Sequence, residues 1–323
     1  MNKPLYVVYG PIFQDWKLGA GDGSHPTNPI RAELARDMLA ERLGDRVQFA
    51  EPCPKGTAKA DRAKLDATHD PAYVARTLGG VNGEWYGKNA KVAKAGFAMF
   101  RGTIRAVELI LDGKASVVFN PQGAKHHAKF DRASGFCVFN DMAYAAIAFK
   151  EAGLKPLYID WDIHAGDGTY HMLKGKGVPT ISIHHGGIYP GDRELQSLDG
   201  TRREVVDADN DAYGINLLGG DGDDQFIKAI DRAAEIIDEY QPDVILLAAG
   251  ADGHEGQGNL GSIANFTKAG YKYAAEMIAR KATEYANGRV LIGGAGGYQP
   301  LKETPETWAL VVETIYNNTK KGA

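Results

Sequence analysis

Two cysteines, Cys53 and Cys137, are all that this 323-residue chain contains. That excludes a disulfide framework and a zinc site built from cysteine. No stretch approaches the roughly 20 apolar residues that span a bilayer, so membrane insertion is not expected. The opening "MNKPLYVVYG" lacks an apolar segment followed by a cleavage site, and a reduced, cytoplasmic protein is expected. Blocks of like charge are missing as well. The 37 basic and 41 acidic residues are spread along the chain for a formal net charge of -4. This leaves no footprint for nucleic acid or a membrane surface; a cationic substrate is compatible with it but not required. There is no internal repeat, low-complexity tract or Pro/Ser-rich linker. With 44% hydrophobic residues, the chain can bury a large core, and one domain over residues 1–323 is the simplest organisation.

Short apolar runs alternate with longer helical patterns. The runs are "LYVVYG" (5–10), "SVVFN" (116–120), "PLYID" (156–160), "TISIH" (180–184), "VILLAA" (244–249) and "RVLIGG" (289–294). They lack clean polar alternation, as strands covered on both faces do. Phe97, Phe100, Ile104, Val107 and Leu111 recur at helical spacing, with Gly113 as a stop. Phe226, Ile230, Ala233 and Ile237 repeat the pattern, and a third helix is expected from Tyr271 to Ala286. The alternation implies an α/β fold with a mostly parallel sheet. Segments 79–90 and 186–222 read as long loops.

Polar clusters follow four of these strands: "NPQGAKHHA", "DWDIHAGDG", "AAGADGHEGQ" and "GGAGGYQP". In a parallel sheet they meet at the carboxyl edge, the usual place for ligands. Asp160, Asp162, His164 and Asp167 fall within eight residues, a concentration of charge that is costly to bury without a partner. Capping carboxylates around a Gly-rich bend are one explanation. A metal is the other, because Asp162, His164 and Asp252 supply two carboxylates and an imidazole and leave an open position. Hydrolysis at such a site needs a base and an acid, which the adjacent His126 and His127 can provide. The two remaining aspartates, Asp160 and Asp167, then match the two histidines as orienting partners. Tyr298, after a run of glycines, is either a core aromatic or an oxyanion donor.

These residues carry an extended resemblance. "HPTNPIR" (25–31), "HHA" (126–128), "GFCVFND" (135–141), "DWDIHAGDGT" (160–169), "SIH" (182–184), "YPG" (189–191), "GADG" (250–253) and "GGY" (296–298) occur in the order found in the histone deacetylase and acetylpolyamine amidohydrolase superfamily. The chain resembles that family over most of its length. The resemblance implies a single-domain, arginase/deacetylase-like α/β fold with helices flanking the sheet and long loops at its carboxyl edge. It implies a zinc-dependent deacetylase, with Fe²⁺ as the alternative metal, held by Asp162, His164 and Asp252. His127 is then the general base and acid, and His126 an electrostatic partner that stays protonated. Asp160 pairs with His126 and Asp167 with His127, while Tyr298 polarises the amide carbonyl. Phe136 and Tyr189 form the walls of a narrow channel, the Gly135 carbonyl accepts the substrate N–H, and Arg31 lies beneath the site. The resemblance also implies a K⁺ or Na⁺ site through Asp160, Asp162, His164, Ser182 and the Ile183 carbonyl. Expected partners are a small acylated amine or acetyl-lysine, with homo-oligomerisation left open.

The departures are local. The usual P-x-G-H-H becomes "PQGAKHH", with Ala124 and Lys125 between Gly123 and His126, and Ala165 stands where histidine is frequent. Glu84 is the acidic residue of segment 79–90. Glu255, in "GHEGQ", resembles a glutamate gatekeeper of polyamine deacetylases and is expected either at the pocket rim, favouring a second positive charge, or as a solvated loop carboxylate. Two other functions fit less of the pattern. A two-metal ureohydrolase needs D-x-H-x-D, which Gly166 interrupts, and a later D-x-D, in which His254 replaces the second aspartate. A catalytically silent sensor of acetylated ligands would have no need for all the chemical positions filled here.

Overall fold

The computed structural model describes residues 3–18, 25–257 and 263–319. In chain order the elements are β1 (Leu5–Val8), α1 (Ile30–Leu43), β2 (Val47–Ala50), α2 (Ala58–Thr68), α3 (Pro71–Leu78), α4 (Ala90–Leu111), β3 (Val117–Asn120), α5 (Asp141–Glu151), β4 (Pro156–Asp160) and α6 (Asp167–Leu173). There follow β5 (Thr180–His185), β6 (Glu204–Asp207), β7 (Ala212–Leu217), β8 (Asp221–Gly222), α7 (Asp223–Tyr240), β9 (Val244–Ala248), β10 (Ala264–Asn265), α8 (Lys268–Glu284), β11 (Val290–Gly293) and α9 (Glu303–Asn318). The central sheet runs β2-β1-β3-β11-β9-β4-β5-β7-β6. Its pairings are parallel except β6 with β7. All six expected strands are present, and the mostly parallel α/β architecture is borne out.

Successive side chains of a strand point to opposite faces, and the core divides accordingly. Leu157, Ile159, Ile245 and Leu247 join one cluster with residues of α1, α7, α8 and α9. Tyr158, Val244, Leu246 and Ala248 join another with residues of α4 and α5. The central strands are therefore apolar on both faces, with polar residues only at the carboxyl ends of β3 (Asn120) and β4 (Asp160).

Helix starts follow local chemistry. Asn89 accepts from the Val92 N–H at 3.1 Å at the start of α4, Asn140 from the Ala143 N–H at 2.9 Å at α5, and Asp70 from the Tyr73 N–H at 2.7 Å ahead of Pro71 at α3. Each satisfies a donor that the first turn leaves unpaired.

One expectation is corrected. Segment 186–222 is not a continuous loop, because β6 and β7 lie inside it and β7 pairs with β5 over six positions. Gly214 and Asn216, which are poor strand formers, interrupt the apolar run of β7 and hide it. Segment 79–90 does form a turn, closed by a bridge between Val81 and Lys88 and by the Trp85 indole N–H donating to the Gly80 carbonyl at 2.8 Å.

The sheet order has a direct consequence for function. β3, β11, β9 and β4 are consecutive neighbours at its centre, so the four polar clusters that follow them open onto one place.

Candidate active site and metal centre

The turn after β3 carries both histidines, and a buried carboxylate shapes it. Asp141, at the start of α5, accepts from the backbone N–H groups of Ala124 at 3.0 Å and Lys125 at 2.8 Å, and from Thr103 Oγ1 at 2.6 Å. Asn140 Nδ2 donates to the Ala128 carbonyl at 3.1 Å, and the Thr169 N–H to the His126 carbonyl at 2.9 Å. Held on both sides, the turn presents two imidazoles whose ring centres lie 4.0 Å apart.

Each imidazole faces its own aspartate. His126 Nδ1 lies 2.7 Å from Asp160 Oδ2, and His127 Nδ1 lies 2.7 Å from Asp167 Oδ1. Asp160 also accepts from the Tyr158 hydroxyl at 2.6 Å and the Asp162 N–H at 2.9 Å. Asp167 is shared with the Lys129 ammonium.

The two histidines titrate in opposite directions. Burial disfavours the imidazolium of His126, but the charges of Asp160 and Asp162 outweigh it and raise its pKa to about 9. For His127, burial and the neighbouring His126 cation prevail over Asp167 and lower the pKa to about 3. At neutral pH His126 is charged and His127 neutral. Donating Nδ1–H to Asp167 leaves His127 Nε2 as an acceptor.

Asp162, His164 and Asp252 offer ligand atoms within 4.8 Å of one another. His164 Nδ1 is 3.0 Å from Asp162 Oδ1 and 2.9 Å from Asp252 Oδ2. Backbone donors orient both carboxylates: Gly296 N–H to Asp162 Oδ2 at 2.6 Å, and Ile163 N–H to Asp252 Oδ1 at 3.0 Å. Buried carboxylates converging with an imidazole fit a divalent cation of zinc type. Gly296 is required here, since a Cβ at this position would lie 2.4 Å from Asp162 Oδ2 and 2.5 Å from Asp252 Oδ2. His254 lies outside this cluster, its Nδ1 accepting from the Gly256 N–H at 3.0 Å. The ligand that a second ion would need is therefore turned elsewhere.

Tyr298 follows β11, its ring centre 6.2 Å from that of His164. Burial and the nearby Asp252 and Asp162 raise its pKa well above the usual phenol value, so it keeps its proton. Its backbone is held by Gln257, whose Oε1 accepts from the N–H groups of Tyr298 at 2.5 Å and Gln299 at 3.1 Å. Arg31 is buried beneath, donating to the Gly297 carbonyl at 2.5 Å.

The entrance is aromatic. Phe136 is 36% and Tyr189 46% exposed, and the Tyr189 ring centre lies 4.9 Å from that of His127. Gly135 has φ +55, and a Cβ there would come within 2.5 Å of His127 Cδ2. Glu84 reaches this rim, accepting from the Phe136 N–H at 2.8 Å. Glu255 is exposed, its backbone N–H donating to the Phe266 carbonyl at 2.9 Å. It does not line the pocket that Phe136, His127 and Tyr298 enclose. Ser182 sits opposite Asp160 in the β4–β5 ladder and accepts from the Gly166 N–H at 3.1 Å, with the buried Ile183 next in the strand.

The geometry thus gathers the histidines, their aspartates, the metal trio, Tyr298, Gly135, Phe136 and Tyr189, and leaves Glu255 apart. Asp141, Lys129, Tyr158 and Gln257 were not singled out from sequence. The asparagine–aspartate pair opening α5 was a usable signal for Asp141. Lys129 and Gln257 gave none, because their partners lie 38 and 41 residues away.

Acetoin utilization protein AcuC of Bacillus subtilis (strain 168) is 28% identical over 94% of this chain and 80% of its own length. The protein of the same name from Staphylococcus aureus (strain MRSA252) is 30% identical, covering 96% of this chain and 81% of its own. Histone deacetylase 6 of Arabidopsis thaliana is 28% identical over 79% of this chain and 56% of its own length. The histone deacetylase domain matches residues 25–315, and the chain belongs to that family.

Proposed function

We propose that the protein is a zinc-dependent amidohydrolase that removes an acetyl or similarly short acyl group from an amine. An acetylpolyamine, an acetyl-lysine or another small acyl amine is the substrate. One observation carries the reading: two adjacent His–Asp pairs stand beside two carboxylates and an imidazole that converge. Asp162, His164 and Asp252 would hold the Zn²⁺, with Fe²⁺ as the alternative occupant. When bound, the ion supplies Lewis acidity and lowers the pKa of water to about 7.

The chain's own groups move the protons. His127, neutral and accepting at Nε2, takes the proton of the attacking water and delivers it to the departing amine. His126 keeps its proton through the cycle and stabilises negative charge on the carbonyl oxygen. Asp160 and Asp167 orient the two rings. Tyr298 donates its hydroxyl to the same oxygen as charge develops there. The Gly135 carbonyl accepts the substrate N–H, and Phe136 and Tyr189 flank the chain that enters. Asp160, Asp162, His164, Ser182 and the Ile183 carbonyl would hold a K⁺ or Na⁺ that stiffens the β4–β5 edge of the site. We also assign the whole chain, 1–323, to one catalytic domain working in the cytoplasm.

The test is carboxylate release from acetyl-lysine peptides, acetylputrescine and acetylspermidine by purified protein before and after chelation. Activity is expected to vanish with the metal and return with one Zn²⁺ per chain. Full activity in metal-stripped protein would overturn the reading.

A further inference from the structure

Glu84 stands at the rim without a task in the proposed mechanism, yet its position is firmly built. Trp85, next in the chain, is buried against Trp16 with ring centres 6.3 Å apart, and its indole N–H is tied to Gly80. The Glu84 N–H donates to Asn82 Oδ1 at 3.0 Å, and Asn82 Nδ2 donates to Thr77 Oγ1 of α3 at 3.0 Å. A half-buried carboxylate anchored on both sides is aimed, and what it meets is the backbone N–H of Phe136 at 2.8 Å.

Phe136 needs such a partner. Ser134 and Cys137 close a two-residue hairpin, each N–H donating to the other's carbonyl at 3.0 and 2.9 Å. The residues between them, Gly135 and Phe136, have φ +55 and +63, the pattern of a type I′ turn. Glycine adopts it freely, whereas a phenylalanine there is held against its preference. The two hairpin bonds leave the Phe136 N–H unpaired, and Glu84 supplies the acceptor that favours this conformation. The other side of the tip is tied as well, because Ser134 Oγ lies 2.5 Å from the Tyr189 hydroxyl. Gly135 is wedged between base and wall: a Cβ there would come within 2.5 Å of His127 Cδ2 and 3.0 Å of Tyr189 Cε1. The His25 ring packs edge-on against Phe136 at 4.7 Å.

We propose that Glu84 and Ser134 are positioning residues that clamp Phe136 and Tyr189 at a fixed spacing across the mouth of the channel. Glu84 holds Phe136 in the left-handed conformation, and Ser134 joins the same tip to Tyr189. Neither touches the substrate. Without the Glu84 acceptor, Phe136 is free to return to negative φ, which swings its ring away from the channel. The effect on turnover rests on the deacylase reading, because the clamp acts on the walls that grip the substrate chain and leaves the reacting groups in place. A rim carboxylate that served a second ammonium of the substrate would need its charge. The clamp needs only an acceptor oxygen at that place.

The experiment uses metal-loaded wild type, Glu84→Ala, Glu84→Gln, Ser134→Ala, Tyr189→Phe and the double variant of the last two. All are matched for folding by circular dichroism and for metal by elemental analysis. Amide hydrogen exchange is followed by NMR on protein carrying isotope-labelled phenylalanine. The Phe136 amide is expected to exchange about tenfold or more faster in Glu84→Ala and to return within a few-fold of wild type in Glu84→Gln. This readout needs no turnover: an inactive wild type refutes the deacylase reading and leaves exchange to decide the clamp. In the active enzyme, Glu84→Ala should raise KM about three- to tenfold while kcat stays within about twofold. The factor should be the same for a neutral acetyl-lysine peptide and for acetylspermidine, and Glu84→Gln should recover it. Ser134→Ala and Tyr189→Phe break one shared bond, so the double variant should be no worse than either single one. Unchanged Phe136 exchange in Glu84→Ala overturns the proposal, as does a Gln variant as impaired as the Ala variant or a loss confined to acetylspermidine. Multiplicative effects of the Ser134 and Tyr189 substitutions remove Ser134 from the clamp.

Discussion

His126 and His127 are consecutive, equally buried, and each 2.7 Å from an aspartate, yet one is held charged and the other neutral. The hydrogen-bond partner is the same in kind, so the surroundings decide. His126 feels a second carboxylate, Asp162, whereas His127 faces the charge of His126 and has an aspartate shared with Lys129. A pair that carries a single positive charge can both accept a proton and stabilise an anion. Two histidines with equal pKa values could not divide the work in this way.

The largest expected effect comes from removing the accepting member. His127→Ala should lower kcat by about 10³ or more, within the range for loss of a general acid–base group, with metal content unchanged by elemental analysis. A His126→Ala variant that lost as much and shifted the acidic limb of the pH profile identically would erase the distinction between the two. Next, Tyr298→Phe should lower kcat by about 10², the size of one lost oxyanion donor. Near-normal turnover would remove the phenol from the chemistry.

Gln257→Ala leaves every reacting group in place but frees the backbone of Tyr298, and about a tenfold fall in kcat is expected, in line with the sensitivity of catalysis to misplacement. Gln257→Glu, which keeps the acceptor, should recover most of it. If both variants match wild type, Gln257 does not position the tyrosine.

Lys129→Met sharpens the comparison directly. Without the ammonium, Asp167 acts on His127 alone and raises its pKa. Because the base must be neutral, the acidic limb of kcat/KM should then move to higher pH, by about one unit or less, equivalent to ~1.4 kcal/mol at most. A limb that stays put or moves down would show that Lys129 does not set the difference. The smallest effect is expected at Glu255, exposed and outside the pocket lining: Glu255→Leu should change the ratio of kcat/KM for acetylspermidine over acetyl-lysine by no more than a few-fold.

Much of this was legible before any coordinates. Apolar runs without alternation identified the central strands, since a strand covered on both faces has no solvent-facing side to carry a regular polar alternation. The carboxyl-edge rule then brought residues around 126, 162, 252 and 298 together although they are far apart in sequence. β7 escaped because its glycine and asparagine weaken the pattern. Glu255 was drawn toward the rim by a three-residue resemblance, which carries no information about where a loop points.

Sequence by itself determined the kinds of atom available and the strand ends that carry them, because side-chain chemistry and hydrophobic periodicity are local properties. The resemblance already implied which aspartate meets which histidine and that His126 stays protonated; only the tertiary structure decided that Gln257 holds the tyrosine loop and which charges and burial set the two imidazoles apart. Those outcomes depend on distance and burial, and a pKa is set by the charges and solvent around a group rather than by its neighbours along the chain.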